Sequence, residues 1–279
     1  MPGVVYKRIF ILMSEEKQIL PVNYSCYFSQ SREGEQFVSA HSLGMVLDGV
    51  MELDDGEHKI QFKKGMLYSA RKNHLLKFNK HPGEAVAFKS VSIYFDEAAL
   101  QAFSLEYGYQ AEETSNTAAF IHIPENPALV SFMQSLLAYE LLLNAQCTTD
   151  LLRLKQKEAL LLLLQYDPSL KNIFFDFSEP GKIDLASFMQ KNYHFNVHLE
   201  RFAYLTGRSL STFKRDFEKL FHQTPSRWLL QRRLKEAHYL IREKGRMASD
   251  IYLDLGFEDL SHFSHAFKKE YGVAPSRMM

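Results

Sequence analysis

Hydrophobic and polar positions alternate in short runs over residues 20–95, and turn-forming residues separate these runs. The apolar or alternating runs are Phe37-Val38, Met45-Val46-Leu47, Met51-Leu53, Lys59-Phe62 and Ala85-Phe95. The turn signals between them include Glu33-Gly34, Asp48-Gly49, Asp54-Asp55-Gly56 and Lys64-Gly65. Several short strands with such turns predict a β-sandwich or β-barrel. In the last run Val91, Ile93 and Phe95 share one face, which is typical of a half-buried strand.

Helical spacing replaces this alternation from Asp96 onwards. Asp96-Tyr107 predicts a short helix, and Pro127 opens a longer helical stretch. Leu151-Tyr166 predicts a second helix that is apolar almost all round, so we expect it to be heavily buried. The stripe of the helix opened by Pro127 has heptad-like spacing and consists of Leu129, Phe132, Leu136, Tyr139 and Leu143. The pattern is compatible with a dimer seam or with packing against the chain's own sheet.

A linker is predicted at 172–182, where Pro180-Gly181 follows the break at Asp167-Pro168. The boundary at 175–182 divides the chain into residues 1–175 and residues 183–279. Residues 1–180 hold 16 Lys and Arg and 22 Asp and Glu, a balance of −6, and residues 181–279 hold 17 and 11, a balance of +6. This asymmetry suggests a basic module for a polyanion beside an acidic domain. The alternative is chance, since the net charge of protein surfaces varies by several units.

Two helix pairs follow the linker, each joined by a glycine-containing turn. In the first pair Gly207 ends a helix, Ser209 caps the next one, and that second helix spans Leu210-Phe221. Its apolar stripe is Leu210, Phe213, Phe217 and Leu220, and its other face is polar and basic. This arrangement is typical of a helix-turn-helix unit, whose second helix enters the major groove of DNA.

The second pair repeats the pattern about 50 residues later. Gly256 ends one helix, and Asp259 can cap a helix at Leu260-Tyr271, with Phe263 and Phe267 facing the core. A long helix that starts at Thr224-Pro225 and ends near Gly245 connects the two pairs. Its apolar face is formed by Trp228, Leu229, Leu234, Ala237, Leu240 and Ile241.

The region Ile183-Arg277 resembles the AraC/XylS family of transcription regulators. The most specific part is the tail Gly256-Ser276, with its Gly-Phe, Ser-x-Phe-Ser, Phe-Lys-Lys and Gly-x-x-Pro-Ser elements. The resemblance implies an α+β chain, with a cupin-like β-barrel or sandwich and helical hairpin first, and an all-α domain with two helix-turn-helix units last. Two departures affect the second unit: Tyr252 stands where the family has a small alanine, and His265 stands where an arginine is common.

The resemblance also implies which residues face DNA. The base-facing candidates are Ser211, Thr212, Lys214 and Arg215 in the first unit and Ser261, His262, Ser264 and His265 in the second. Arginine and lysine can donate to guanine O6 and N7, and serine and threonine adapt to several base edges. Arg208, Lys219, Lys268 and Lys269 are expected to contact phosphates, which adds affinity without sequence information. For each lysine, a solvated helix face is the alternative.

An enzymatic or metal-binding cupin, with a helical tail that makes protein contacts, is the competing interpretation. The histidines before residue 180 are His41, His58, His74, His81 and His122, and none forms the His-x-His pair of a cupin metal site. The two cysteines, Cys26 and Cys147, lie 121 positions apart and suit a reducing cytoplasm. The sequence therefore predicts no catalytic residue, no metal and no cofactor.

The remaining expectations concern partners. The longest apolar run is Ala159-Leu164, so we expect no membrane span, and Met1-Phe10 does not resemble a signal peptide. The expected partners are double-stranded DNA, RNA polymerase, a second copy of the chain, and a small-molecule, peptide or protein effector at the N-terminal domain. Residues that can line a ligand site or form the core there are Phe37, Val46, Leu53, Phe62 and Tyr68, and we expect most to be core. The sequence leaves activation and repression open.

Overall fold

The computed structural model describes residues 21–29, 36–83, 87–113, 118–142 and 148–278, without side-chain detail at 140–142 and 148–149. Its strands are β1 (Val22–Tyr27), β2 (Phe37–Val38), β3 (His41–Asp48), β4 (Val50–Asp54), β5 (Lys59–Lys63), β6 (Leu67–Ala70), β7 (His74–Leu75), β8 (Lys77–His81), β9 (Phe88–Phe95) and β10 (Phe120–Ile123). The turn signal at Glu33-Gly34, Leu143 and Cys147 lie outside the described residues.

The strands form three antiparallel sheets. The largest has the order β1-β9-β3-β6-β10, a second has the order β5-β4-β8, and β2 pairs with β7. One face of the large sheet packs against the three-stranded sheet, where Val46 and Tyr68 meet Leu53 and Phe62 in a buried cluster. These four candidate lining residues are therefore core, as expected for most of the set. The fifth, Phe37, packs against the C-terminal helices.

The other face of the large sheet is covered by helices. Val91, Ile93 and Phe95 of β9 point into this second core. However, Ser90 and Ser92 on the opposite face of β9 are also buried, so the prediction of a half-buried strand is wrong. The cause is the second sheet, which covers the face that the sequence pattern assigns to solvent.

Four helices complete this N-terminal part. They are α1 (Glu97–Tyr107), α2 (Pro127–Ser135), α3 (Thr148–Tyr166) and α4 (Lys171–Phe174), with 3-10 turns at Leu136–Leu142 and Pro168–Leu170. Asp96 caps α1 by accepting from the Ala99 amide at 2.7 Å. The helix α4 and the buried Phe175 belong to the core of this part, so the connecting segment starts at Asp176, later than the predicted 172.

The leucine-rich stripe of the helical hairpin is part of that core. Leu129, Phe132 and Leu136 are at most 4% exposed and pack against the large sheet. Of the two alternatives, packing against the chain's own sheet is therefore the observed one for these residues. The expectation for Leu151-Tyr166 is wrong on one side of the helix, since Leu151, Leu154 and Leu161 of α3 are 37%, 61% and 39% exposed.

The C-terminal part is all-helical, so the chain is α+β. Its helices are α5 (Leu185–Asn192), α6 (Leu199–Leu205), α7 (Leu210–Phe221), α8 (Pro225–Arg242), α9 (Ala248–Ile251) and α10 (Leu260–Tyr271), followed by a 3-10 turn at Pro275–Arg277. One core lies among α5, α6, α7 and the start of α8, and a second lies among the rest of α8, α9 and α10. Leu75 of β7 is buried in the first of these cores, so the two parts of the chain pack together.

Candidate nucleic-acid interface

The first helix pair turns sharply between α6 and α7. Gly207 has φ of +64°, and a Cβ there would lie 2.4 Å from the carbonyl carbon of Gly181, so backbone contact requires glycine. Ser209 then caps α7, because its Oγ accepts from the Thr212 amide at 3.3 Å. The predicted bounds, cap and turn of this unit are confirmed.

Helix α7 has one buried and one exposed face. Phe213 and Phe217 are fully buried in the first C-terminal core. The exposed candidates on α7 are Ser211, Lys214, Arg215 and Lys219, and Thr212 is half-buried. Leu220 differs from the prediction: it is 48% exposed, and Phe221 instead packs against Trp228 with ring centroids 4.8 Å apart. The exposed face thus presents hydroxyl donors and three cations at the positions expected of a recognition helix.

Arg208 has a different environment from the other cationic candidates. Its side chain is only 8% exposed, and its Nε donates to Asp216 Oδ2 at 3.2 Å. Its Nη1 donates to the carbonyls of Thr206 at 2.7 Å and Ile183 at 3.0 Å. This hydrogen bonding, chiefly the bond from Arg208, lowers the pKa of the Asp216 carboxyl. These hydrogen bonds from Nε and Nη1 give Arg208 a structural role in the turn, and its expected phosphate contact stays a prediction.

The second pair has the same construction. Gly256 has φ of +86° at the turn, and Asp259 Oδ1 accepts from the His262 amide at 2.6 Å, which caps α10. Phe263 and Phe267 are fully buried, as predicted. The exposed candidates on α10 are Ser261, His262, His265, Lys268 and Lys269, and Ser264 is half-buried.

Two residues of the second unit lie against aromatic rings or in its core. The His262 ring meets Phe257 edge-on at 5.9 Å, which fixes its orientation at the start of α10. Tyr252 is half-buried and packs against the second C-terminal core. The core therefore accommodates the tyrosine at the position where the family has alanine.

A cleft of about 270 Å³ lies where the connecting segment crosses the N-terminal part. Its lining includes Arg71 from the β6–β7 loop, His74 from the start of β7, and Asp176 and Gly181 from the connecting segment. Gly181 also contacts the turn at Gly207, so the lining of the cleft touches the first helix-turn-helix unit. Among the described residues, no three His, Cys, Asp or Glu side chains are grouped as they would be around a metal ion.

None of the described helices is both long and apolar enough to cross a bilayer.

The residues that sequence reasoning missed lie between the two parts of the chain. Lys77 on β8 is 2% exposed, and its Nζ donates to the Asp254 carbonyl at 2.9 Å. The sequence of β8, Lys77-Phe78-Asn79-Lys80-His81, has a single apolar residue and gives no sign that Lys77 is buried.

Two helix-turn-helix units on one connecting helix define a DNA-binding regulator. Residues 202–279 match the helix-turn-helix domain model, and residues 41–173 match the model of the ExsA N-terminal regulatory domain. The chain is 24% identical over 239 residues to the HTH-type transcriptional regulator ExsA of Pseudomonas aeruginosa, covering 84% of each chain. It is 32% identical over 93 residues to the virulence regulon transcriptional activator VirF of Yersinia enterocolitica, which covers 33% of this chain and 34% of VirF.

Among solved structures, an apo ToxT variant from Vibrio cholerae aligns with a TM-score of 0.47 and 13% identity, over 94% of this chain and 98% of ToxT. The two domain matches, the similarity to ExsA and the paired units together support an AraC-family transcription regulator. The chain is a DNA-binding transcription regulator with an N-terminal regulatory domain.

Proposed function

We propose that this regulator binds two adjacent major grooves, with α7 in one groove and α10 in the next. The observation that carries the proposal is the exposed polar face of each helix opposite a buried phenylalanine pair. In α7, Lys214 and Arg215 read base edges, and Lys219 contacts phosphate. In α10, Ser261, Ser264 and His265 meet the bases, and Lys268 and Lys269 contact phosphates. His265 is a weaker donor than arginine, so the first unit supplies more of the sequence discrimination.

The wider organisation is part of the same proposal. Residues 1–175 form a cupin-type sensor and dimerisation domain, and residues 183–279 form the DNA-binding domain. The protein acts as a non-enzymatic activator in the cytoplasm, as a homodimer that contacts RNA polymerase. The relatives' names support the regulatory role and activation, since ExsA is named a regulator and VirF an activator.

An effector is proposed to act through the N-terminal domain. The cleft beside Arg71 and Asp176 supports this, because a ligand there would touch the connecting segment that contacts Gly207. The exposed leucines of α3 support self-association, since an exposed apolar stripe on a helix is a common protein contact.

The test is selection of duplexes from a random pool by the full chain, followed by titration of the selected site at several salt concentrations. We expect protection of two major-groove segments separated by one helical turn of about 10 base pairs. Affinity should fall steeply with salt because phosphate contacts release counterions. No enrichment, or binding that does not respond to salt, would contradict the proposal. Turnover of a small molecule with a bound metal would favour the enzymatic cupin instead.

A further inference from the structure

The segment Tyr193–Asn196, here called the junction segment, lies between α5 and α6, and its Phe195 is buried in the core of the first helix-turn-helix unit. It is held by a guanidinium from the connecting helix α8. Arg233 donates from Nε to the Tyr193 carbonyl and from Nη2 to the Phe195 carbonyl, each at 2.8 Å. Its third donor, Nη1, reaches the Gly256 carbonyl at 2.8 Å. One side chain therefore links the first unit to the turn of the second.

The second unit also touches the junction segment directly. A Cβ on Gly256 would lie 2.9 Å from the His194 carbonyl oxygen and 2.8 Å from Arg233 Cζ. Asn196 Nδ2 donates to Glu258 Oε1 at 3.2 Å on the same turn. The turn that precedes α10 is thus packed on the first unit without space for a side chain.

The N-terminal domain contacts the junction segment from another side. Gln36 Oε1 accepts a hydrogen bond from the backbone N–H of Asn196 at 2.8 Å. A Cβ on Gly56, in the β4–β5 turn, would lie 2.9 Å from the His194 ring. The junction segment is therefore the place where the sensor, the first unit and the second unit meet.

Lys77 of β8 reaches the same place and contacts both units. Its Nζ donates to the Asp254 carbonyl in the turn of the second unit and lies 5.1 Å from the centre of the Phe195 ring in the first. The side chain is 2% exposed. Burying an ammonium group is costly, and correctly placed carbonyl and aromatic partners offset that cost. The position of the Asp254 turn relative to Phe195 is thus coupled to the position of β8.

We propose that Lys77 is a positioning residue through which the sensor domain sets the separation of α7 and α10. Because each recognition helix must fall in its own major groove, that separation selects the spacing of the two half-sites. A movement of β8 then changes the DNA spacing that the protein accepts, which gives the sensor a mechanical route to DNA. The inference depends on the proposed two-groove binding mode.

The experiment uses the full chain and the duplex selected by the wild type. Its dissociation constant is compared with that of a duplex carrying one extra base pair between the half-sites. Lys77→Met keeps most of the length of the side chain but removes the ammonium group, and with it the donor and the charge. We expect it to weaken binding at the native spacing by about tenfold, within the usual range of coupling between sites, and to lose most of the discrimination against the longer spacing. Lys77→Arg, which keeps a charged donor, should restore the discrimination.

Lys63→Met is the matched control, since Lys63 is exposed on β5 of the same three-stranded sheet and its change should leave both constants as in the wild type. Amide exchange without DNA gives a second readout: Lys77→Met should speed exchange at residues 255–257 and leave the large sheet unchanged. If Lys77→Met does not fold, Lys77→Gln is compared in its place, with the same expected direction.

The inference would be overturned if Lys77→Met leaves the ratio of the two dissociation constants as it is in the wild type, which includes equal weakening of binding at both spacings. Failure of the proposed function has a different signature, because the wild type itself would then select no duplex with two protected grooves. In that case the inference would fall with it.

Discussion

The Nε of Arg208 lies 3.2 Å from Oδ2 of Asp216, which ties the turn of the first helix-turn-helix unit to its recognition helix. The same guanidinium reaches the Ile183 carbonyl in the segment that enters from the N-terminal domain. Arg208 therefore links the turn, the recognition helix and the entering segment through its hydrogen bonds.

This arrangement predicts that Arg208 and Lys219 have opposite effects on stability and DNA binding. Arg208→Ala should lower the midpoint of thermal unfolding by roughly 4 to 8 °C, the shift expected for about 1 kcal/mol in a small domain. It should leave the slope of log K against log salt unchanged. Lys219→Ala should leave the midpoint unchanged and flatten that slope by about 0.9, the contribution of one phosphate contact. If Arg208→Ala flattens the slope of log K against log salt, Arg208 contacts a phosphate after all.

The helix-turn-helix units were predictable because their determinants are local. Helices α7 and α10 have the predicted bounds, and Ser209 and Asp259 cap them, since spacing, caps and glycine turns are all readable over a dozen residues. The exposed positions follow from the same periodicity. Leu220 was predicted to be buried on α7 but is exposed. Phe221 packs in its place against Trp228, which belongs to α8 and so lies outside the local pattern of α7.

Non-local packing accounts for what the sequence did not predict. Ser90 and Ser92 are buried because a second sheet covers β9, and a strand's own alternation carries no information about that sheet. Arg208 is of a residue type that commonly binds phosphate. Its contact with Asp216 is seen only in the structure, where the turn brings the two side chains together. Lys77 and Asp254 are separated by 177 positions, so their contact has no sequence signal.

Gly207 and Gly245 offer a matched test of close backbone contact at a turn. Both have left-handed φ, +64° and +63°, but a Cβ at Gly207 would overlap the Gly181-Lys182 backbone, whereas a Cβ at Gly245 meets nothing within 4 Å. Gly245→Ala should cost about 1 kcal/mol of unfolding free energy through backbone strain. Gly207→Ala should cost about 3 kcal/mol or more, because the backbone cannot yield without moving the turn. Equal costs in denaturant unfolding would show that the Gly207 contact is not tight.

Arg215 and Lys268 should differ in the information that they contribute to DNA binding. Both are exposed on their helices, but Arg215 is in the middle of α7 and Lys268 is in the last turn of α10. Arg215→Ala should relax the preference at particular base pairs, at about 1–3 kcal/mol for a bidentate contact. Lys268→Ala should weaken all sequences alike and flatten the salt slope by about one unit. Titrations of the selected site and a scrambled site decide between them, and equal effects of the two changes on both sites would refute the assignment.

Self-association should depend on the exposed face of α3 and not on the buried stripe of the helical hairpin. Leu154→Glu replaces a side chain that is 61% exposed, so the variant should fold and sediment as a monomer. Leu136→Glu places a carboxylate at a fully buried position and should unfold the N-terminal domain. Analytical ultracentrifugation together with circular dichroism separates the two outcomes. A Leu154→Glu variant that associates as tightly as the wild type would exclude this face.

His41 should make the protein less stable in mild acid. Burial lowers the pKa of its imidazole to about 3, with further lowering by Arg71, Lys72 and His74, while Asp176 opposes the shift. The neutral ring is also used structurally, since its Nδ1 accepts from the Lys72 amide at 3.3 Å and it packs edge-on to Phe174 at 5.3 Å.

In the unfolded chain the pKa of His41 returns to about 6.5, so below that pH the unfolded state binds a proton that the folded state rejects. The free energy of unfolding should therefore be independent of His41 above about pH 7 and should fall as the pH drops towards 3. Between pH 7 and 5.5 the loss from this group should be roughly 1 kcal/mol. The measurement is urea unfolding of the wild type and His41→Gln at the two pH values. The variant should lose less stability than the wild type. If wild type and His41→Gln lose equal stability, the pKa of His41 is not lowered in the folded protein.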